Sequence, residues 1–322
     1  MPLNEKALIQ RIRLQTRRTR QLRVGIGDDC SVLRIPSGHE VLVTTDFSLE
    51  GIHFRREWHP PESVGHRCLT RGLSDIAAMA GEAIAAFLSL ALPATLRQSW
   101  VDRFLKGLLA LAKTANVTLA GGDTAESPSG ILADIVVVGS VPRGGAILRA
   151  TARAGDQVYV TGTLGGSAAA LEQLLSGRPR SLSPATYPGY FFPTPRLQVG
   201  RILRERKIAS AMIDISDGLS TDLSHICEES GVGAQIFRSS LPRAVVGPSR
   251  RPVELEYALN GGDDYELLFT ARPKVNVPSS IAGVRITRIG NITRSEKILL
   301  LDDHSRATEL KPKGWEHFRR RK

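Results

Sequence analysis

Cysteine is scarce in this chain: Cys30, Cys68 and Cys227 lie far apart, and no two form a Cys-x-x-Cys pair. An odd, scattered set excludes a disulfide framework and the paired thiolates of a structural zinc or dithiol site, and predicts reduced thiols in a cytoplasmic protein. Long apolar runs are also missing. The longest, residues 83–96, falls short of the roughly 20 residues a spanning helix needs and contains Pro93. With no apolar signal core at the N-terminus either, no membrane segment is expected. His-Glu-x-x-His, Gly-x-Ser-x-Gly and Walker sequences are absent. This argues against zinc hydrolysis, a serine triad and a P-loop ATPase.

Glycine and positive charge are abundant. Many of the 30 glycines cluster beside Asp, Ser or Thr, a pattern that suits phosphate and metal loops, although turns of an ordinary α/β fold use glycine too. The formal charge is +11, with basic residues concentrated in segment 11–23 and in the tail 319–322, while the acidic residues sit in the glycine-rich motifs. A solubilising surface is the expected reading, rather than a site for a specific nucleic acid. At 322 residues, two domains are expected, residues 1–145 and 146–322.

Periodicity places the elements. Leu8, Ile9 and Ile12 predict an amphipathic helix over residues 3–20 that carries little chemistry. Strands follow at 31–35 and 41–45, a helix at 61–81, a buried strand at 82–92, a helix at 100–115 and a strand at 131–141. Strands alternating with helices, joined by loops ending in Gly and Asp, indicate an α/β first domain. Beyond the Gly/Pro-rich stretch 142–155, a strand at 157–161 leads through Gly162-Thr163-Leu164-Gly165-Gly166-Ser167 into a helix. Such a turn can hold phosphate on free amides but lacks the P-loop ending. A surface loop (178–195), a helix (195–206), a strand-to-helix turn at residues 211–218 and a helix from 219 complete the predicted order.

Carboxylates recur in glycine-bearing or strand-end positions: Asp28 and Asp29 in Gly-Ile-Gly-Asp-Asp, Asp46 in Thr44-Thr45-Asp46, Asp75, Asp123 in Gly121-Gly122-Asp123, Asp214 and Asp217 around Ser216, and Asp263 with Asp264. Nine such groups in one cleft would repel one another unless metal ions neutralised them, and hard oxygen donors suit Mg²⁺. Several metals bridging a polyphosphate is the economical reading. Each position also has a plainer explanation. Ser216 or Asp217 can cap a helix, Asp75 needs a cation, a donor or water wherever it is buried, Arg149 can be one more surface arginine, and His53 can pack against Phe54.

These motifs, in this order, resemble those of the thiamine-monophosphate kinase family, within the superfamily of aminoimidazole ribonucleotide synthetase and selenophosphate synthetase. The resemblance runs from Gly-Ile-Gly-Asp-Asp to Gly314-Trp315-Glu316-His317-Phe318. It implies two mixed α/β (α+β) domains and a homodimer whose N-terminal sheets meet in a barrel-like interface. It also implies ATP-dependent, Mg²⁺-assisted in-line phosphorylation of thiamine monophosphate to thiamine diphosphate, the last step in making that coenzyme. Carried over by residue, the metal ligands are Asp29, Thr44, Thr45, Asp46, Asp75, Asp123, Asp214 and Asp217, with Asp28 acting from behind them. ATP falls to Gly122, Asp123, Arg149 and Ser216, and thiamine monophosphate to His53, Asp263 and Trp315. The chain departs from the family at Asp263, where Glu is common, and at Ala115-Asn116, where an aromatic is frequent. Two rivals remain: a synthetase of the same superfamily, which the Gly-Gly-Asp-Asp-Tyr-Glu-Leu and terminal motifs disfavour, and a polyanion-binding protein, which leaves the aspartates unexplained.

Overall fold

The structure is a computed structural model and describes residues 3–17, 19–27, 29–177, 182–247, 251–316 and 318. Asp28, His317 and the basic tail 319–322 lie outside the described residues. Two compact units divide the chain: Met1–Ile76 with Gly81–Gly145 and Phe191–Pro193, and Ala77–Ala80 with Ala146–Tyr190 and Thr194–Lys322.

In the first unit a four-stranded sheet runs in the order β3 (His39–Leu49), β6 (Leu132–Pro142), β4 (Glu82–Leu92), β5 (Thr118–Glu126). β3 is more than twice the length its apolar residues predict, because it pairs with β6 in unbroken register from His39 to Leu49. Cross-strand pairing thus recruits polar residues that carry no strand signal of their own. Successive side chains point to opposite faces. Leu42, Thr44, Asp46 and Ser48 therefore face inward, and Val41, Val43 and Phe47 outward, where 51%, 67% and 53% of their surfaces are exposed. On the inner side, α2 (Pro61–Ala78) packs onto the sheet at Gly72, where an added Cβ would come within 2.5 Å of Val137.

Helix α3 (Gln98–Thr114) crosses α2 at unusually short range. A Cβ on Gly107 would sit 1.9 Å from the Glu62 carbonyl oxygen, and one on Gly65 would sit 2.0 Å from that of Phe104. The two glycines face each other's backbone, so the helices touch main chain to main chain. α3 carries the chain from β4 to the parallel strand β5. The Gly121-Gly122-Asp123 run expected in a loop lies within β5, at a register break against β4 between Ala86 and Phe87. Near the N-terminus, α1 (Glu5–Gln15) is shorter than its apolar pattern predicts, and β1 (Leu22–Val24) pairs with β2 (Val32–Leu33) as a small ribbon.

In the second unit the sheet order is β14 (Ala307–Glu309), β13 (Ile298–Leu301), β9 (Gly233–Phe237), β12 (Val284–Thr293), β7 (Gln157–Thr161), β10 (Glu266–Ala271), β8 (Ala211–Ile215), with β11 (Ser280–Ile281) beside β12. Both faces are covered. Val158, Val160, Ile213, Ile215 and Leu268 join one core with Leu219, Leu223 and Ile226 of α7 (Leu219–Ser230). Tyr159, Met212, Leu267 and Phe269 join the other with Val199 and Leu203 of α6 (Leu197–Glu205). Burial on both faces explains why β8 and β10 read as nearly unbroken apolar runs. Between these cores the Glu266 carboxylate accepts from Arg196 Nε at 2.7 Å and from the Thr161 hydroxyl at 2.5 Å, so a buried charge is paired at the base of α6. The short helices α4 (Gly166–Leu175), α5 (Pro188–Phe191) and α8 (Leu255–Asn260) complete the element order.

Burial pushes the Cys68 and Cys227 thiols up to about 12, which keeps them protonated, while Cys30 is exposed. Among the described residues no helix is long and apolar enough to cross a membrane.

Candidate active site

In the first unit, strand geometry sorts the Thr44-Thr45-Asp46 triplet. Thr44 donates its hydroxyl to Asp75 of α2, and Asp46 lies 3.6 Å from Arg71 one helical turn earlier. Asp75 thereby has the donor its place in an apolar helix demands. Thr45 points the other way, and its hydroxyl donates to Asp134 of β6 at 2.7 Å. Thr44 and Asp46 therefore share one face of the strand and Thr45 the other, because neighbouring residues of a regular strand face opposite sides. Asp134 has no motif around it in the sequence. Only the β3–β6 register brings it beside Thr45.

A second polar group gathers where the β1–β2 connection meets β5. Asp29, Cys30 and Ser31 line a cavity of about 710 Å³ together with Asp123 and Thr124. Ser31 donates its hydroxyl to the Ala120 carbonyl at 2.7 Å, tying that connection to β5. Gly122 is required here by its backbone. Its φ is +144°, and a Cβ would lie 1.8 Å from the Leu88 carbonyl oxygen. Asp123 is exposed and, among the described residues, accepts a local bond from the Thr124 amide at 2.8 Å.

His53 follows β3 in a tight turn and accepts the Leu49 amide on Nδ1 at 3.0 Å, which assigns its proton to Nε2. Beside it, the Phe54 ring stacks on Trp100 with centroids 6.5 Å apart.

The second unit brings Ser216, Asp217, Asp263 and Trp315 together. The Ser216 carbonyl accepts the Asp263 amide at 2.8 Å, and the Asp217 carbonyl accepts the Trp315 amide at 3.0 Å. Gly314 passes so close that a Cβ there would sit 2.0 Å from the Asp217 carbonyl oxygen. Asp263 has φ +62° and its carboxylate accepts the Tyr265 hydroxyl at 2.6 Å, so a left-handed backbone is stabilised by its own neighbour. Burial pushes the Asp264 carboxyl up to about 8, even as it accepts the Gly165 amide at 2.6 Å. That bond occupies an amide of the Gly162–Ser167 turn, which the sequence reading had left free to hold phosphate.

Asp222 is a residue the sequence reading missed. Its carboxylate reaches back from the first turn of α7 to accept the amides of Asp217 at 3.2 Å and Gly218 at 3.0 Å. Burial holds it well above the usual carboxylate range, with Asp214 and Asp217 adding to the effect. An acidic residue just inside a helix start, reaching back to its leading amides, is a readable capping signal. Among the described residues, Asp217, Asp222 and His225 are the group of potential metal donors whose atoms lie within 4.8 Å of one another. The Arg149 carbonyl accepts the Ser230 hydroxyl at the end of α7 at 2.8 Å.

The sequence matches the AIR synthase related protein N-terminal domain over residues 27–141 and the corresponding C-terminal domain over residues 153–300. Thiamine-monophosphate kinase of Bacillus subtilis is 35% identical over 98% of this chain and all of its own length. Thiamine-monophosphate kinase from Stenotrophomonas maltophilia superposes with a TM-score of 0.79 at 34% identity, covering 93% of this chain and 97% of that one. AaThiL complexed with AMPPCP and TMP gives 0.76 at 32% identity over 99% of each chain. Related in sequence and fold over nearly its whole length, with the acidic motifs set out as above, the chain belongs to the thiamine-monophosphate kinase family.

Proposed function

We propose that this protein transfers the γ-phosphoryl group of ATP to thiamine monophosphate, giving thiamine diphosphate and ADP by direct in-line attack. Full-length kinship with thiamine-monophosphate kinases carries the reading. The acceptor's own phosphate oxygen is the nucleophile, so no covalent side-chain nucleophile is required, and positioning with charge neutralisation is the enzyme's main task. The donor sets fit Mg²⁺: Thr44, Asp46 and Asp75 around β3 and α2, Asp29 and Asp123 at the cavity, and Asp214 and Asp217 at β8 all offer hard oxygens. Bound there, Mg²⁺ would neutralise the polyphosphate and hold it for transfer. Thr45 acts through Asp134 on the opposite face of its strand.

Gly122, Asp123, Arg149 and Ser216 are the ATP contacts that the family resemblance implies. His53 offers its Nε2 proton to the acceptor. Asp263 and Trp315 receive the thiamine rings, with the shorter Asp263 oriented by Tyr265. The exposed apolar edge of β3 supports a homodimer, since Val41, Val43 and Phe47 on an unpaired edge strand call for a cover. Three cysteines with no disulfide among the described residues support a cytoplasmic location.

The test is a product assay with purified protein that resolves thiamine diphosphate. Product is expected only with ATP and Mg²⁺, with the rate still rising as Mg²⁺ exceeds ATP. ADP formed only with some other acceptor would overturn the assignment in favour of a synthetase of the superfamily.

Trp315 gives a finer test. Its main chain is anchored to Asp217, whereas the residue is 41% exposed and lies outside the buried cores. Stacking on a cationic aromatic ring is worth about 0.5–2 kcal/mol. Trp315→Ala is therefore expected to raise KM for thiamine monophosphate roughly threefold to thirtyfold, with KM for ATP and Tm unchanged. A lowered Tm with both constants unchanged would instead make the indole a fastener of the C-terminal segment.

A further inference from the structure

We propose that α1 forms one wall of the nucleotide pocket in the first unit and that Arg13 contacts the ATP polyphosphate there. This rests on the reading of that cavity as the ATP site. The cavity lining has two chemical characters. Asp29 and Asp123 supply carboxylates, and Phe87 and Leu119 supply an apolar surface suited to a flat base. Ile9 and Ile12 of α1 line it as well. Arg13 follows Ile12 and packs on Gly27, itself a lining residue. A Cβ on Gly27 would lie 2.6 Å from Arg13 Nη1 and 2.8 Å from Cζ. Gly27 therefore gives the guanidinium room to lie against the backbone two residues ahead of Asp29.

The helix is held in the orientation this requires. Asn4 caps it by accepting the Ala7 amide at 3.0 Å, Leu3 donates its amide to the Gln98 side chain at 2.6 Å, and Arg11 pairs with Asp102 of α3 at 2.7 Å. At 100° per residue Arg11 projects away from the face shared by Ile9, Ile12 and Arg13, whose i, i+3, i+4 spacing stacks them on one side. Fastening the Arg11 side to α3 leaves the other face to the cavity. The rim carries the carboxylates of Asp29 and Asp123, which attract metal but repel phosphate. A planar guanidinium beside them supplies positive charge in a fork that matches phosphate oxygens. The helix whose apolar pattern predicts only a surface element thus contributes both apolar wall and cation.

The experiment measures steady-state kinetics, and calorimetric binding of AMPPCP with Mg²⁺, for the wild type, Arg13→Ala, Arg13→Lys and Arg17→Ala. Arg17, exposed just beyond α1, controls for general charge. Arg13→Ala is expected to weaken AMPPCP binding and raise KM for ATP roughly 10- to 100-fold, with kcat at saturating ATP, KM for thiamine monophosphate and Tm within about twofold or a degree of wild type. Arg13→Lys should recover part of the loss, and Arg17→Ala should show none. AMPPCP binding and KM for ATP that are unchanged in an active Arg13→Ala enzyme would overturn the proposal and leave the kinase reading standing. Equal losses in Arg13→Ala and Arg17→Ala would also overturn it, by reducing the effect to long-range attraction. A wild type that binds AMPPCP through Arg13 yet leaves thiamine monophosphate unphosphorylated would support the contact while ending the choice of acceptor.

Discussion

Asp123→Asn is expected to lower kcat/KM for thiamine monophosphate phosphorylation by about a hundredfold or more, with Tm unchanged. The carboxylate lines the cavity and, among the described residues, makes no bond beyond the adjacent Thr124 amide, which an Asn oxygen can accept equally well. The substitution removes one negative charge from the proposed metal-binding set at nearly constant volume. Losing a ligand to a metal that would neutralise the transferring phosphoryl group costs roughly 3 kcal/mol or more of transition-state stabilisation. The comparison with Asp46→Asn is informative, because Asp46 is also 3.6 Å from Arg71 and its loss should cost both rate and some stability. Near-normal turnover by Asp123→Asn would remove Asp123 from the metal set and leave it as a loop fastener.

The second large effect is on stability. Intrinsic helix propensity alone makes Gly107→Ala favourable by about 1 kcal/mol. The crossing of α2 and α3 argues the opposite, since the new methyl would lie 1.9 Å from the Glu62 carbonyl oxygen, and neither helix can yield without breaking its own hydrogen bonds. Overpacking of this kind costs about 3 kcal/mol or more. The expected result is a Tm lower by roughly 10 °C. Gly189→Ala in α5 is the control, because a methyl there would meet nothing within 4 Å and should leave Tm within about a degree. If both substitutions left Tm unchanged, the close helix contact would have to be abandoned.

What the sequence made legible follows from where its signals are local. The helices α2, α3 and α7 show their apolar stripes, and β8 shows as the strand leading into the turn before α7, whereas β10 is not among the predicted strands. The full reach of β3 was hidden, since Asp46, Phe47 and Ser48 beyond the predicted strand are held in it by their partners Ile135, Asp134 and Ala133 on β6. The same alternation separates Thr45 from its neighbours, which a motif written as three letters conceals. In the second unit the motif around Ser216 suggested a cap, and the capping carboxylate is instead Asp222, one turn inside the helix. Trp315 was legible as a ring without a core to join. Its neighbour at the Asp217 carbonyl was not, because that contact joins segments far apart in sequence.

The strand order of the second unit bears on how the chain emerges during synthesis. Its interior strand β7 pairs with β10 on one side and β12 on the other, both made long after it. The four-stranded sheet of the first unit, in contrast, has all its strands by Pro142. The early half can therefore gather its sheet while β7 still waits with two bare edges, the condition in which strands pair with wrong neighbours. A polypeptide terminated anywhere before β10 would keep those edges open permanently. Such truncated products should be found in aggregates and among the substrates of chaperones, and the final segment through Trp315 would be the last piece to dock.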